Sequence, residues 1–288
     1  MAIDEEAKSL IEAAGLPPEA LPSDLFFSEA AEREVDRAAA AAAAAGVAAV
    51  GADTEVAVPA PPETCNEVQA HRAAACADAA ASGTAPAPLR IGVLISGSGT
   101  NLQALIDRIA DGSLNAEIAL VVSSRPSAKG LKRAEAAGIQ TLTLSKEIYA
   151  DPLMADEVIA SELFRAGVDY VIMAGYMRMV HAPLLAAFPD RVINLHPALL
   201  PSFQGAHAIA DAYARGAKVT GVTVHIANEV YDQGPIIAQE PVRVREGWTV
   251  DELETAIHEV EHDLYPHVVQ LLAEGRVHVN EDRTVAVA

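Results

Sequence analysis

LRIGVLISGSGTNLQALIDRIADG, residues 89–112, decides the fold. Its first nine residues, LRIGVLISG, form a short apolar run that ends in glycine. The stretch that follows, from Thr100, carries apolar side chains at helical spacing and stops at Gly112. A strand passing through a glycine turn into an amphipathic helix begins a βα unit, and the alternation repeats downstream. The pattern predicts strands at 116–123, 139–143 and 169–174, with helices at about 129–137 and 153–166. Further strands are expected at 191–195, 219–226 and 235–243, and further helices at 207–215 and 250–274. Strands alternating with helices of this length imply an α/β fold, a mostly parallel sheet with helices on both faces. The segment GVTVHIANEVYDQGPIIAQ (221–239) reads instead as a hairpin-linked pair, so the late strands are expected to be antiparallel. No internal repeat is evident.

The chain before Leu89 has a different character. Eight alanines run from Ala38 to Ala45, and Pro/Ala/Thr-rich stretches cover 57–63 and 80–88. Alanine favours helix over 29–45, but methyl groups alone bury too little area for an independent core. Residues 1–88 are therefore expected to be an acidic Ala/Pro-rich extension, disordered or partly helical, and 89–288 the catalytic domain. Leu21, Leu25, Phe26 and Phe27 are the candidates for docking the extension on that domain.

Through Leu89 the chain has 15 acidic and 4 basic residues, so this part carries −11 of the total charge of −20. So acidic a chain argues against broad binding to nucleic acid or an anionic membrane. A small anionic substrate stays open, because a nest of backbone N–H groups binds phosphate inside an acidic protein. Cys65 and Cys76 both fall in the extension without a Cys-x-x-Cys spacing, and are expected to be unpaired surface thiols in a reducing compartment. Acidic residues at positions 4–6 and the lack of an uninterrupted membrane-length apolar run make the cytoplasm the expected location.

Two regions carry candidate chemistry. Gly97-Ser98-Gly99-Thr100-Asn101 lies between the first strand and its helix, where backbone N–H groups and the positive helix end suit a phosphate. A tight turn with an ordinary helix cap from Thr100 or Asn101 is the competing reading. A dinucleotide fingerprint is disfavoured, because the third glycine is missing and the next strand ends at Ser123-Ser124 without an acid. The second region is INLHPALLPSFQGAH (193–207), which puts Asn194 and His196 two apart, on one face of a strand. A carboxamide and an imidazole on one face can both donate to a developing oxyanion. Downstream, Asp232 in the hairpin loop has the reach to orient His196 or accept a proton, while His225 reads equally as a buried hydrogen-bonding residue. His196, His207 and His225 would be the ligands of a zinc site, but HExxH and cysteine ligands are missing, and no GxSxG elbow supports a serine hydrolase. Metal-free transfer through an oxyanion is the simplest account.

Taken together, ISGSGTNLQALID, VIMAGYMRMV, INLHPALLPSFQGAHAI, GVTVHIANEVYDQGPIIAQ and EHDLYP resemble the glycinamide ribonucleotide formyltransferase family, in order and spacing over residues 90–278. The resemblance implies a Rossmann-like formyltransferase domain that passes the formyl group of 10-formyltetrahydrofolate to the amine of glycinamide ribonucleotide, without a metal. It implies that Asn194, His196 and Asp232 are catalytic, with His225 supporting, and that protonated His196 and Asn194 stabilise the formyl oxygen. Gly99, Thr100 and Asn101 would hold the substrate phosphate and Glu261 the ribose, with Met177, Arg178, Met179 and Val180 at the folate. The partners implied are these two small molecules, with no nucleic acid or membrane, in a monomer or homodimer.

Formyltetrahydrofolate deformylase, which uses water as acceptor, is the alternative, but its regulatory domain needs strands that 1–89 does not offer. A tRNA-specific formyltransferase would need a basic C-terminal domain, and a phosphometabolite-binding module without catalysis is disfavoured. Two departures stand out: Gln204 replaces a proline found in many members, and EIYADPLMADEVIASEL (147–163) lacks an arginine that some supply to the phosphate, for which Lys146 or Arg125 would have to compensate.

Overall fold

The computed structural model describes residues 63–288. The expected helix at 29–45 and the docking residues Leu21 to Phe27 lie outside the described residues. The first described helix, α1 (Cys65–Ser82), falls inside the stretch assigned to the extension. Thr64 and Glu67 close a capping box at its start and Gly83 ends it in the left-handed conformation, so local chemistry defines both ends.

A seven-stranded sheet follows, in the order β3-β2-β1-β4-β5-β6-β7. Its strands are β1 (Leu89–Ile95), β2 (Ala116–Ser123), β3 (Thr141–Thr143), β4 (Tyr170–Met173), β5 (Val192–His196), β6 (Val219–Ile226) and β7 (Ile236–Arg243). The β1 to β5 pairings are parallel, whereas β6 runs antiparallel to both β5 and β7, as the sequence implied. Between them lie α2 (Thr100–Ala110), α3 (Lys129–Ala136), the short α4 (Lys146–Tyr149), α5 (Pro152–Arg165), α6 (Ala182–Ala187) and α7 (Ala208–Ala214). The chain ends with α8 (Val250–Ala273) and a hairpin of β8 (Val277–Val279) and β9 (Val285–Val287).

Side-chain alternation along β1 builds two apolar layers. Ile91, Val93 and Ile95 point into a core shared with Leu102, Leu105, Leu253, Ile257 and Val268. Leu94 points the other way, into a core with Ile159, Leu163 and Leu184. Each fully buried Leu or Ile contributes roughly 1.5–3 kcal/mol, so both helical layers are needed to hold the sheet. Gly92 faces the second layer, where a Cβ would collide with Leu163.

Helix α1 is part of this core. Cys65 and Val68 pack into the first layer, and Gln69 is fully buried. Gln69 donates to Tyr170 Oη and the Leu272 carbonyl, each at 3.0 Å, and accepts from the Val277 N–H at 2.9 Å. Arg72 donates to the Ala273 carbonyl through Nε and Nη2. The expectation of surface thiols is corrected at Cys65, which is 1% exposed with its sulfur 3.3 Å from Tyr170 Oη. Alanine-rich composition concealed this, because a few polar groups addressed to backbone partners anchor the helix where large apolar side chains are scarce.

Candidate active site

Strand order places the site. The sheet reverses direction of growth between β1 and β4, and loops leaving the carboxyl ends of those strands diverge to leave a crevice. The loop after β1 is Ser96–Gly99, the loop after β4 runs from Ala174 to His181, and β5 ends in Asn194-Leu195-His196. The Met177 N–H donates to Ser96 Oγ at 2.8 Å, which ties the first two loops together.

Helix α2 begins at Gly99, not at a Thr100 or Asn101 side-chain cap. Gly99 has φ +70°, and a Cβ there would lie 2.6 Å from the Gly130 Cα, so backbone packs directly on backbone. Asn101 is used otherwise: its Nδ2 donates to Glu261 Oε2 at 2.9 Å. Both are buried, and the Asn101 Oδ1 has no partner. Burial pushes the Glu261 carboxyl up, against the stabilising Asn101 amide. Four residues further along α8, Tyr265 Oη lies 3.1 Å from the Met173 carbonyl and 2.9 Å from that of Ile193, so one helix face holds the ends of β4 and β5 as well. The basic side chain bonded to the glycine loop is Arg133, whose Nε donates to the Ser98 carbonyl at 2.9 Å. Arg133 was not singled out from the sequence because it sits on the next helix.

Asn194, His196, His225 and Asp232 come together. Asn194 and His225 are cross-strand partners on β5 and β6, with Asn194 Nδ2 3.1 Å from His225 Nε2. His225 Nδ1 is 3.0 Å from the Ile226 carbonyl. A carbonyl only accepts, so Nδ1 carries a proton, and Nε2 faces one N–H of the Asn194 amide. The second N–H of that amide is free for a ligand. The same reasoning fixes His196, whose Nε2 is 2.8 Å from the Phe203 carbonyl and must donate to it. Its Nδ1 then faces Asp232 Oδ2 at 3.4 Å, and any further proton of the pair lies between those two atoms.

Asp232 is 5% exposed and has φ +55°, an uncommon backbone state for a residue other than glycine. Gly234, two residues on, lies so close to the Ile226 carbonyl that a Cβ would not fit, which sets the turn. The Gly205 N–H donates to Asp232 Oδ2 at 2.9 Å, while Oδ1 has no hydrogen-bond partner and lies 3.7 Å from His225 Nε2. Burial would push the Asp232 carboxyl up, but the neighbouring His225 ring, the Gly205 N–H and His196 outweigh it and hold it below its ordinary value. For His196 burial wins: it pushes the imidazole down against the pull of the Phe203 carbonyl and Asp232. Burial thus works against the charged imidazole that the pairing with Asp232 favours.

A shallow cleft opens over Asn194, His225 and Asp232, walled by Arg178, Met179 and Val180. The Arg178 guanidinium lies 4.0 Å over the Tyr149 ring, and the loop's far end is pinned where the His181 N–H meets the buried Asp156 carboxylate at 2.5 Å. Met177 does not line this cleft; its side chain is 67% exposed. Nor do Gly99, Thr100 and Asn101, of which Asn101 is bonded to Glu261. Asn228 and Tyr231 line the cleft and were not foreseen. Their only signal is proximity in sequence to Asp232. Among the described residues no group of three or more His, Cys, Asp or Glu is placed to hold a metal, and no helix is long and apolar enough to cross a membrane.

Known proteins carry the same pattern. The formyl transferase family profile matches residues 89–269. Phosphoribosylglycinamide formyltransferase of Bacillus subtilis (strain 168) is 37% identical over 183 residues, 64% of this chain and 94% of that protein. The trifunctional purine biosynthetic protein adenosine-3 of Homo sapiens is 40% identical over 193 residues, 67% of this chain but only 19% of that protein, so the chain spans about a fifth of such relatives. Among solved structures, glycinamide ribonucleotide transformylase 1 from Symbiobacterium toebii superposes with a TM-score of 0.68 at 45% identity, covering 70% of this chain and 95% of that one.

Proposed function

The chain belongs to the formyl transferase family, and from that premise we propose that it transfers the formyl group of 10-formyltetrahydrofolate to the primary amine of glycinamide ribonucleotide. The observation that carries the reading is the Asp232 carboxylate, with one oxygen held by Gly205 and facing His196 and the other unpartnered beside the cleft. An acceptor so placed suits an attacking amine. The names of the full-length bacterial relatives support the same acceptor.

In this reading the amine nitrogen attacks the formyl carbon, and charge develops on the formyl oxygen. The free N–H of Asn194 stabilises that oxygen, its amide oriented by His225. The amine proton passes to the Asp232–His196 pair, which becomes carboxylate and imidazolium, and the positive ring opposes the developing oxyanion. The carbon–nitrogen bond to the folate then breaks, and the departing nitrogen takes the proton. Arg178, Met179 and Val180 line the folate side. Asn101 and Glu261 present two acceptors side by side, which suits ribose hydroxyls, and the Gly99 region with Arg133 suits the phosphate.

The test is an assay with 10-formyltetrahydrofolate, with and without glycinamide ribonucleotide. Folate product that depends on the amine is the expected result. Formate released at the same rate without it would assign the alternative, water as acceptor, and overturn the proposal.

A further inference from the structure

Three consecutive residues address the two groups proposed to move the proton. The Phe203 carbonyl accepts from His196 Nε2 at 2.8 Å, the Gln204 side chain donates to the Asp232 carbonyl at 3.2 Å, and the Gly205 N–H donates to Asp232 Oδ2 at 2.9 Å. Phe203 and Gly205 both have positive φ, +54° and +100°, which turns a carbonyl and an N–H on either side of Gln204 toward different partners. The loop from β5 to α7 therefore grips the loop from β6 to β7 at both ends of one residue, main chain and carboxylate.

We propose that Gln204 is a positioning residue, whose amide holds the Asp232 backbone so that the Gly205 N–H and His196 meet the carboxylate in register. This rests on the formyl-transfer reading above. Asp232 sits in the left-handed region, where a residue with a Cβ is held only by its surroundings. Among the described contacts, the bond to its carbonyl comes from Gln204 alone. Without it the turn has one fewer restraint, and the carboxylate departs from Gly205 and His196 together. Proline at 204 would supply no such donor, since its side chain carries no N–H. The role passes through Asp232: the Gln204 side chain is exposed and is not a wall of the cleft.

The experiment uses the full chain with Gln204→Ala and with Gln204→Met, which keeps the length and removes the donor without adding a charge. Both are expected to lower kcat by about five- to tenfold, the factor one hydrogen bond of ordinary net strength is worth. KM for each substrate should stay within about twofold, because the binding walls are untouched. NMR titration of the His196 ring supplies a readout that simple destabilisation does not move. The ionisable groups facing His196 are Asp232 and His225. Loosening the grip withdraws the Phe203 carbonyl and the Asp232 charge, both of which favour the imidazolium, so the midpoint should fall below that of the parent. A parental kcat in both variants, or an unmoved His196 midpoint, overturns the proposal. If the parent chain itself fails to formylate the amine, the functional reading falls, while the His196 titration still decides whether Gln204 sets the pair.

Discussion

Asn101 Nδ2 donates to the Glu261 carboxylate at 2.9 Å, joining residues 160 positions apart and fastening the start of α2 to the middle of α8. This contact explains two sequence motifs at once, because the asparagine closing GSGTN and the acid opening EHDLYP meet in space.

Glu261→Gln tests both sides of that contact. Burial raises the folded-state pKa of Glu261 above its ordinary 4.5. The native state therefore holds this proton more tightly, and the associated stability is present below pH 4.5 and lost as pH rises through the folded value. A glutamine does not titrate, so thermal unfolding should show the variant gaining on the parent as pH rises toward neutrality. At the same time KM for the amine nucleotide should rise roughly 10- to 100-fold, the effect of removing a hydrogen bond to a charged group. A variant less stable at pH 7 and unchanged in KM would contradict the assignment.

The alternating strands and helices were legible because each signal is local: period-two runs, period-3.6 faces and glycine stops. The antiparallel end was legible from the hairpin at 221–239. Asn194 and His196 were legible because two-residue spacing in a strand dictates a shared face. What stayed hidden is carried by backbone atoms. The Phe203 carbonyl and Gly205 N–H have no side-chain signature, and Arg133 reaches Ser98 only through tertiary packing. The packing of helix α1 on the domain stayed hidden for the same reason, since Gln69 and Arg72 bind main-chain partners about 200 residues away.

That helix gives a second expectation. Gln69→Ala leaves the Val277 N–H without a partner in a buried place and removes one of the two donors to the Leu272 carbonyl, which keeps the Gly275 N–H. The cost should be about 3 kcal/mol, or a fall in Tm of roughly 6–12 °C for a domain of this size. A chain beginning at residue 89 should be destabilised at least as much, because it also uncovers the groove filled by Cys65 and Val68. Calorimetry on the two proteins checks this, and a truncated chain as stable as the parent would show that α1 contributes nothing.

Gly99→Ala concerns the phosphate loop. At φ +70° an alanine is strained, and its methyl would lie 2.6 Å from the Gly130 Cα, a backbone atom that cannot swing away. The loop and α3 must separate. Stability should drop by about 1–3 kcal/mol, and KM for the nucleotide should rise while KM for the folate holds. An equal rise in both would place the loop outside the nucleotide subsite.

Asp232→Asn separates charge from shape. The amide is nearly isosteric and its oxygen can still accept from Gly205, so the turn should persist, and Tm at neutral pH should fall only by what the carboxylate's charge contributes. The electrostatics do change. Asp232 now favours the imidazolium of His196 while burial opposes it; with the carboxylate gone, burial acts unopposed by that charge, and the His196 midpoint should fall further below 6.5. The pair then loses both its acceptor and its tendency to hold the amine proton. Turnover should fall by about 10²–10⁴-fold, the range for a general acid–base group, with KM for both substrates within a few fold. Stability adds a second check. The folded Asp232 has a depressed pKa, so its contribution is present above pH 3.8 and lost as pH falls through the folded value. Parent and variant should therefore converge in Tm only in acid. Near-parental turnover at neutral pH would remove Asp232 from the proton path and leave Asn194 with His196 as the working pair.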